Sequence, residues 1–227
     1  MTQIKYGLNS KKTPMMSTYK LSFVLGKFKT TQVNNSLRMW STKTAIDYEE
    51  NFMRIGQKTW NILEDITGIS SNEQFLEKLD FVIIPRSSDL SRYMNGIYPS
   101  YNWELCIVNE GDLKEKTYTE ALPNLLTYQW FINSIAPDNF HFQSFEHGLS
   151  VYIPTFIADK IDESSDWMDQ FSFYCREKLD KYASMIRMIA TLFGKERFRN
   201  AIKSYLLNNN FGELTSTTLI DEFINAS

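Results

Sequence analysis

Asn124-Leu125-Leu126-Thr127-Tyr128-Gln129-Trp130-Phe131 and Phe145-Glu146-His147-Gly148-Leu149-Ser150-Val151-Tyr152 are the two stretches on which the reading of this chain turns. Both are helical in pattern. Positions 124 and 128 stand at i and i+4, so their side chains share one helix face, with position 125 one residue along. Gln129 through Glu146 are eighteen residues. The second helix therefore presents His147 at a fixed chain distance from that face. The chemistry offered is an amide, a phenol and an imidazole, with an aliphatic side chain, Leu125, beside them.

Working outward, residues 17 to 40 read as strands. Ser17 to Leu25 alternates and is rich in β-branched and aromatic residues, Gly26-Lys27 punctuates it, and Phe28 to Val33 and Leu37 to Trp40 follow. Residues 44 to 66 read as an amphipathic helix, because Tyr48, Phe52, Ile55, Thr59, Ile62, Leu63 and Ile66 recur at steps of three and four; Gly68 ends it. Phe81 to Pro85 and Trp103 to Val108 read as short strands. From about Tyr118 the pattern is helical throughout. Pro123 suits the first turn of a helix running through Ile135. A second helix covers about Phe142 to Lys160, with Pro154 expected to kink it. A third covers about Trp167 to Phe193, with Gly194 as its terminating residue. Lys195 to Asn208 is a fourth, and Ser216 would cap a last one over Thr217 to Asn225. Strands come first and helices later, which is an α+β pattern.

Composition narrows the function classes. The chain has 227 residues, 43% of them hydrophobic and 15% aromatic, enough for a sizeable core. The net charge is −3 and basic residues are scattered among acids, so electrostatics give no case for nucleic acid or an anionic membrane as partner. Met1 to Lys12 lacks the apolar run of a signal peptide. The longest apolar runs, such as Phe81-Val82-Ile83-Ile84, are far below the roughly 18 residues that span a bilayer. Cys106 and Cys175 are the only cysteines and read as buried thiols.

The two opening stretches resemble the zinc-binding segments of the zinc aminopeptidase family (alanyl and puromycin-sensitive type), H-E-x-x-H-Q-W-F and then N-E-G-F-x-x-Y, with the family's eighteen-residue spacing kept. Other segments agree in order. Thr13 to Phe23 resembles T-P-x-M-S-T-Y-L-x-A-F, and Leu79 to Pro85 resembles L-D-x-V-x-x-P. Asn102-Trp103-Glu104-Leu105 resembles the end of G-A-M-E-N-W-G-L. Tyr182 to Ile189 resembles K-G-A-x-V-L-R-M-L, and Phe198 to Tyr205 resembles F-x-x-x-L-x-x-Y-L. The resemblance implies a thermolysin-like peptidase domain, a small sheet followed by a helical lobe, over residues 41–227. It implies that residues 1–40 are the last strands of an N-terminal β-domain, and that the family's C-terminal helical domain is absent.

Residue by residue, the resemblance places Asn124 and Tyr128 at the two histidine ligand positions, Leu125 at the general base and His147 at the third ligand. Zinc hydrolysis needs three ligands, an open fourth position for water and a carboxylate to take the proton. Asn124 offers a neutral oxygen, Tyr128 a phenol that ionises near pH 10, and Leu125 takes no proton. Glu146 and His147 are adjacent and point about 100° apart on a helix, so with His141 they do not readily rebuild a site. The family's transition-state tyrosine falls at Leu179 when Tyr182 aligns with the glycine of K-G-A. The glutamate that captures the substrate amine falls at Tyr101 or, in another register, at Asn95, with Glu104 nearby. Gln129, Trp130, Phe131, Gly148, Tyr152 and the face Ile186, Ile189, Leu192 read as core.

Three functional readings follow. The first is an aminopeptidase-like protein that is catalytically inactive, a pseudopeptidase with no zinc, holding a peptide or a protein partner in a cleft of Tyr101, Glu104, Asn124, Tyr128 and His147. The second is a metalloaminopeptidase with an atypical metal site. The third is a non-functional fragment. The resemblance does not fix a compartment, although members of the family are often plasma-membrane or extracellular proteins.

Overall fold

The computed structural model describes residues 22–41, 49–69, 78–85, 102–109, 115–131, 136–137, 143–178, 181–208, 213–214 and 218–225. Four strands form one sheet: β1 (Lys29–Gln32), β2 (Leu37–Ser41), β3 (Leu79–Ile84) and β4 (Leu105–Asn109), in spatial order β1-β2-β3-β4. β1 pairs antiparallel with β2, whereas β2, β3 and β4 run parallel. The domain boundary expected at residue 40 falls inside β2, a strand of this same sheet. A bidentate ion pair marks the register. Arg38 sits opposite Asp80 across β2 and β3, and its Nε and Nη2 donate to the two carboxylate oxygens at 2.7 Å each. Trp40 Nε1 donates to the same carboxylate at 2.9 Å.

The helices are α1 (Glu49–Thr67), α2 (Glu115–Phe131), α3 (Gln143–Ile161), α4 (Trp167–Lys178), α5 (Lys181–Asn208) and α6 (Thr218–Asn225), with two-residue strands β5 (Ala136–Pro137) and β6 (Glu213–Leu214) pairing in parallel. α1 joins the two layers because its apolar stripe meets both. Phe52 packs edge-on to Phe81 of β3, with centroids 5.0 Å apart, and Trp60 packs edge-on to Trp130 of α2 at 4.7 Å. α3 lies between α2 and α5 and packs along both. At its closest point Gly148 faces the backbone of Tyr182 and Ala183. A β-carbon at 148 would stand 2.7 Å from the Tyr182 carbonyl carbon and 3.0 Å from the Ala183 nitrogen. Only hydrogen fits there.

Several elements differ from the sequence reading. Ser22 to Leu25 is not strand: the alternating pattern needs a covering layer, and Phe23 and Leu25 are 80% and 88% exposed. Residues 17–21 lie outside the described residues, as does Ser216. Pro123 is not in the first turn but inside α2, which begins at Glu115. Pro123 removes one backbone bond, yet burial of Leu122, Leu125 and Leu126 carries the helix through it. The single helix expected over 167–193 is two, α4 and α5, since periodicity carries no sign of a break when both flanks are amphipathic. Within α5 the break expected at Gly194 is present: its φ of 75° and ψ of 170° are not helical, and two helices meet there, the second reaching Asn208 as the sequence indicates. Leu192, read as core in the sequence, is 73% exposed, two positions before the break at Gly194.

Gly148→Ala should force α3 and α5 apart and lower stability by about 1–3 kcal/mol. Urea denaturation checks this, and an unchanged midpoint would contradict the close helix contact.

Candidate functional site

Gln129 sets the geometry of this region. It lies on α2, is fully buried, and its carboxamide points at the chain entering β4. Nε2 donates to the Asn102 carbonyl at 3.1 Å and to Cys106 Sγ at 3.4 Å, and Oε1 accepts from the Glu104 backbone N–H at 3.3 Å. A buried carboxamide left without partners would cost about 1–3 kcal/mol. The three contacts therefore fix residues 102–106 against α2. Burial pushes the Cys106 thiol up to about 12, partly offset by the Gln129 bond. It stays a protonated thiol near neutral pH and is no nucleophile. Cys106 and Cys175 are both buried thiols that form no disulfide, as the sequence indicates.

Glu104 has a φ of 58°, in the left-handed region that favours glycine. It occupies the place of the glycine in the W-G-L pattern quoted above. The backbone geometry is the one a glycine would adopt, held here by a residue that pays strain for it.

Asn124 and Tyr128 share one face of α2 and are both half-buried, Tyr128 immediately preceding Gln129. Leu125 points elsewhere: it is 1% exposed and belongs to the hydrophobic core. His147 is exposed in the second turn of α3, next to Gly148, the residue that faces the backbone of Tyr182 and Ala183. Ser150 Oγ donates to the His147 carbonyl at 2.8 Å, which ties this turn of α3 together. Tyr101, Leu179 and His141 lie outside the described residues, as does the side chain of Glu146.

Asn124, Tyr128 and His147 supply one imidazole among an amide and a phenol. Zinc takes imidazole, thiolate or carboxylate ligands, so this donor set does not fit the metal. Among the described residues, no three His, Cys, Asp or Glu side chains are grouped to hold a metal ion. What the face can do is exchange neutral hydrogen bonds: the Asn124 carboxamide and the Tyr128 hydroxyl each donate and accept. Tyr152, one turn beyond His147 on α3, has its hydroxyl pushed up by burial, with the Arg187 charge acting the other way.

Two relatives match almost the whole chain. Aminopeptidase 2 of Candida albicans is 23% identical over 260 aligned residues, covering 95% of this chain and 27% of that protein. Alanine/arginine aminopeptidase of Saccharomyces cerevisiae is 21% identical over 257, covering 95% of this chain and 29% of that protein. The chain is distantly related to aminopeptidases. It spans less than a third of the length of these relatives. No protein-family model matches it.

The sequence reading singled out Gln129 but gave no contact for it; its partner is a backbone loop, which no residue pattern specifies. Glu104→Gly should release left-handed strain and raise stability by about 1 kcal/mol. A urea midpoint that falls or stays put in this variant would show that the position is not strained.

Proposed function

We propose that this chain is an aminopeptidase-like module without peptidase chemistry, which holds a peptide or a protein partner at the face of Asn124, Tyr128 and His147. The observation that supports this most is Leu125. At the position where the resemblance calls for a general base, an aliphatic side chain is packed in the core. A hydrolytic mechanism needs a carboxylate or an equivalent base within reach of water, and an activated water in turn needs a metal or a strong donor set. Position 125 offers neither a proton acceptor nor access to solvent.

The parts that remain suit binding. Gln129 and Gly148 serve the scaffold and need no metal to do so. Asn124 and Tyr128 carry neutral polar groups on a shared helix face, which matches the amide groups of a peptide backbone better than a charged ligand. The chain's net charge of −3 gives no electrostatic pull toward nucleic acid. Zinc is not part of the proposal, because the donor set at 124, 128 and 147 does not fit it.

Assay of the purified chain with aminoacyl 4-nitroanilides, with added zinc and with chelator, should show no release above a protein-free control. Chelator-sensitive turnover, abolished by His147→Ala, would overturn the proposal and establish an atypical metal site.

A further inference from the structure

A cavity of about 490 Å³ lies where α1, α3 and α5 meet, away from the face described above. Asn124, Tyr128, His147 and Glu104 do not line it. Its walls are apolar: Ile66 of α1, Ile153 and Phe156 of α3, and Ala190 and Phe198 of α5. It opens to the surface where Asp65, Lys160 and Lys195 are exposed, and its volume falls in the range of small-molecule pockets.

The charges lining it are unequal. Asp65 and Lys195 cancel one another, with Lys195 Nζ 2.9 Å from Asp65 Oδ2. Among the described residues that line it, Lys160 and Arg199 are left over. Lys160 stands over the Phe156 ring, its Nζ 5.5 Å from the centroid. Arg199 lies along the end of α1, its Nε 3.2 Å from where a β-carbon of Gly68 would be. An apolar interior with a surplus of positive charge at its edge selects a ligand with a hydrocarbon body and one negative head.

We propose that this cavity binds an amphipathic carboxylate, its medium-length hydrocarbon chain against Ile66, Ile153, Ala190 and Phe198 and its carboxylate held by Lys160 and Arg199. A neutral alcohol of the same chain length fills the interior but leaves the cations without an acceptor. A quaternary ammonium of the same length is repelled by them.

Isothermal titration calorimetry of the full chain with decanoate, decanol and decyltrimethylammonium, each below its micelle concentration, tests this. Decanoate should bind once per chain and saturably. Decanol should bind about tenfold more weakly, the difference a charged hydrogen bond makes, and the ammonium should not bind. Ala190→Phe should abolish decanoate binding while the helical circular dichroism is kept. The double variant Lys160→Gln/Arg199→Gln leaves the apolar wall untouched and should weaken decanoate about tenfold without changing decanol; it decides the matter should Ala190→Phe fail to fold. Absence of saturable decanoate binding, equal binding of all three amphiphiles, or full binding by folded Ala190→Phe would each overturn the proposal.

Discussion

A single buried carboxamide ties the sheet to the helical layer at the candidate site. Gln129 has no route to solvent, so its donors and acceptor must be met inside the protein. They are met by the segment 102–106 as it enters β4, and this fixes how that segment lies on α2. Everything else at the site is placed relative to it. Asn124 and Tyr128 are on the same helix, and Glu104 is in the clamped segment. The second constraint is steric. Gly148 lets α3 come within backbone contact of α5 at Tyr182 and Ala183, which a side chain at 148 would prevent. Both constraints are met by packing and hydrogen bonding within the scaffold alone.

Much of this was legible from the sequence where physics is local. The stripe from Phe52 to Ile66 announced α1, because helical periodicity is written in consecutive residues and α1 buries that stripe against sheet and α2 alike. Phe81 to Ile84 announced β3, a run of apolar residues buried on both faces between parallel neighbours, although the strand begins earlier, at Leu79. Gly68 and Gly194 fell where φ turns positive. What was not legible depends on distant partners. Pro123 signals a helix start by its own geometry, but the burial of its neighbours overrides that preference. Ser22 to Leu25 alternates like a strand and finds no covering layer among the described residues. Leu192 keeps helical phase with Ile189 and still points to solvent, on the side of α5 where Met188 is exposed as well.

The site was legible in its chemistry and less so in its arrangement. That Leu125 takes no proton follows from its identity; that it packs in the core follows only from the fold. The strain at Glu104 was invisible, since no property of glutamate reports φ. The cavity between α1, α3 and α5 was equally hidden. Ile66 reads as one residue of an amphipathic stripe, and only the arrangement of Ile66, Ile153 and Phe198 in three dimensions shows that they leave space between them.

The central claim is that the chain keeps an aminopeptidase-like frame while its ligand positions have changed. Restoring ligands at those positions tests it most directly. In the variant Asn124→His/Tyr128→His/His147→Glu, with Leu125 left in the core, zinc content is measured by elemental mass spectrometry after loading and removal of excess metal. The account predicts about one zinc per chain for the variant, three protein ligands being what an open zinc site requires, and none for the unaltered chain. A variant with the native circular dichroism spectrum that retains no zinc would contradict it, because positions 124, 128 and 147 would then not meet at one point.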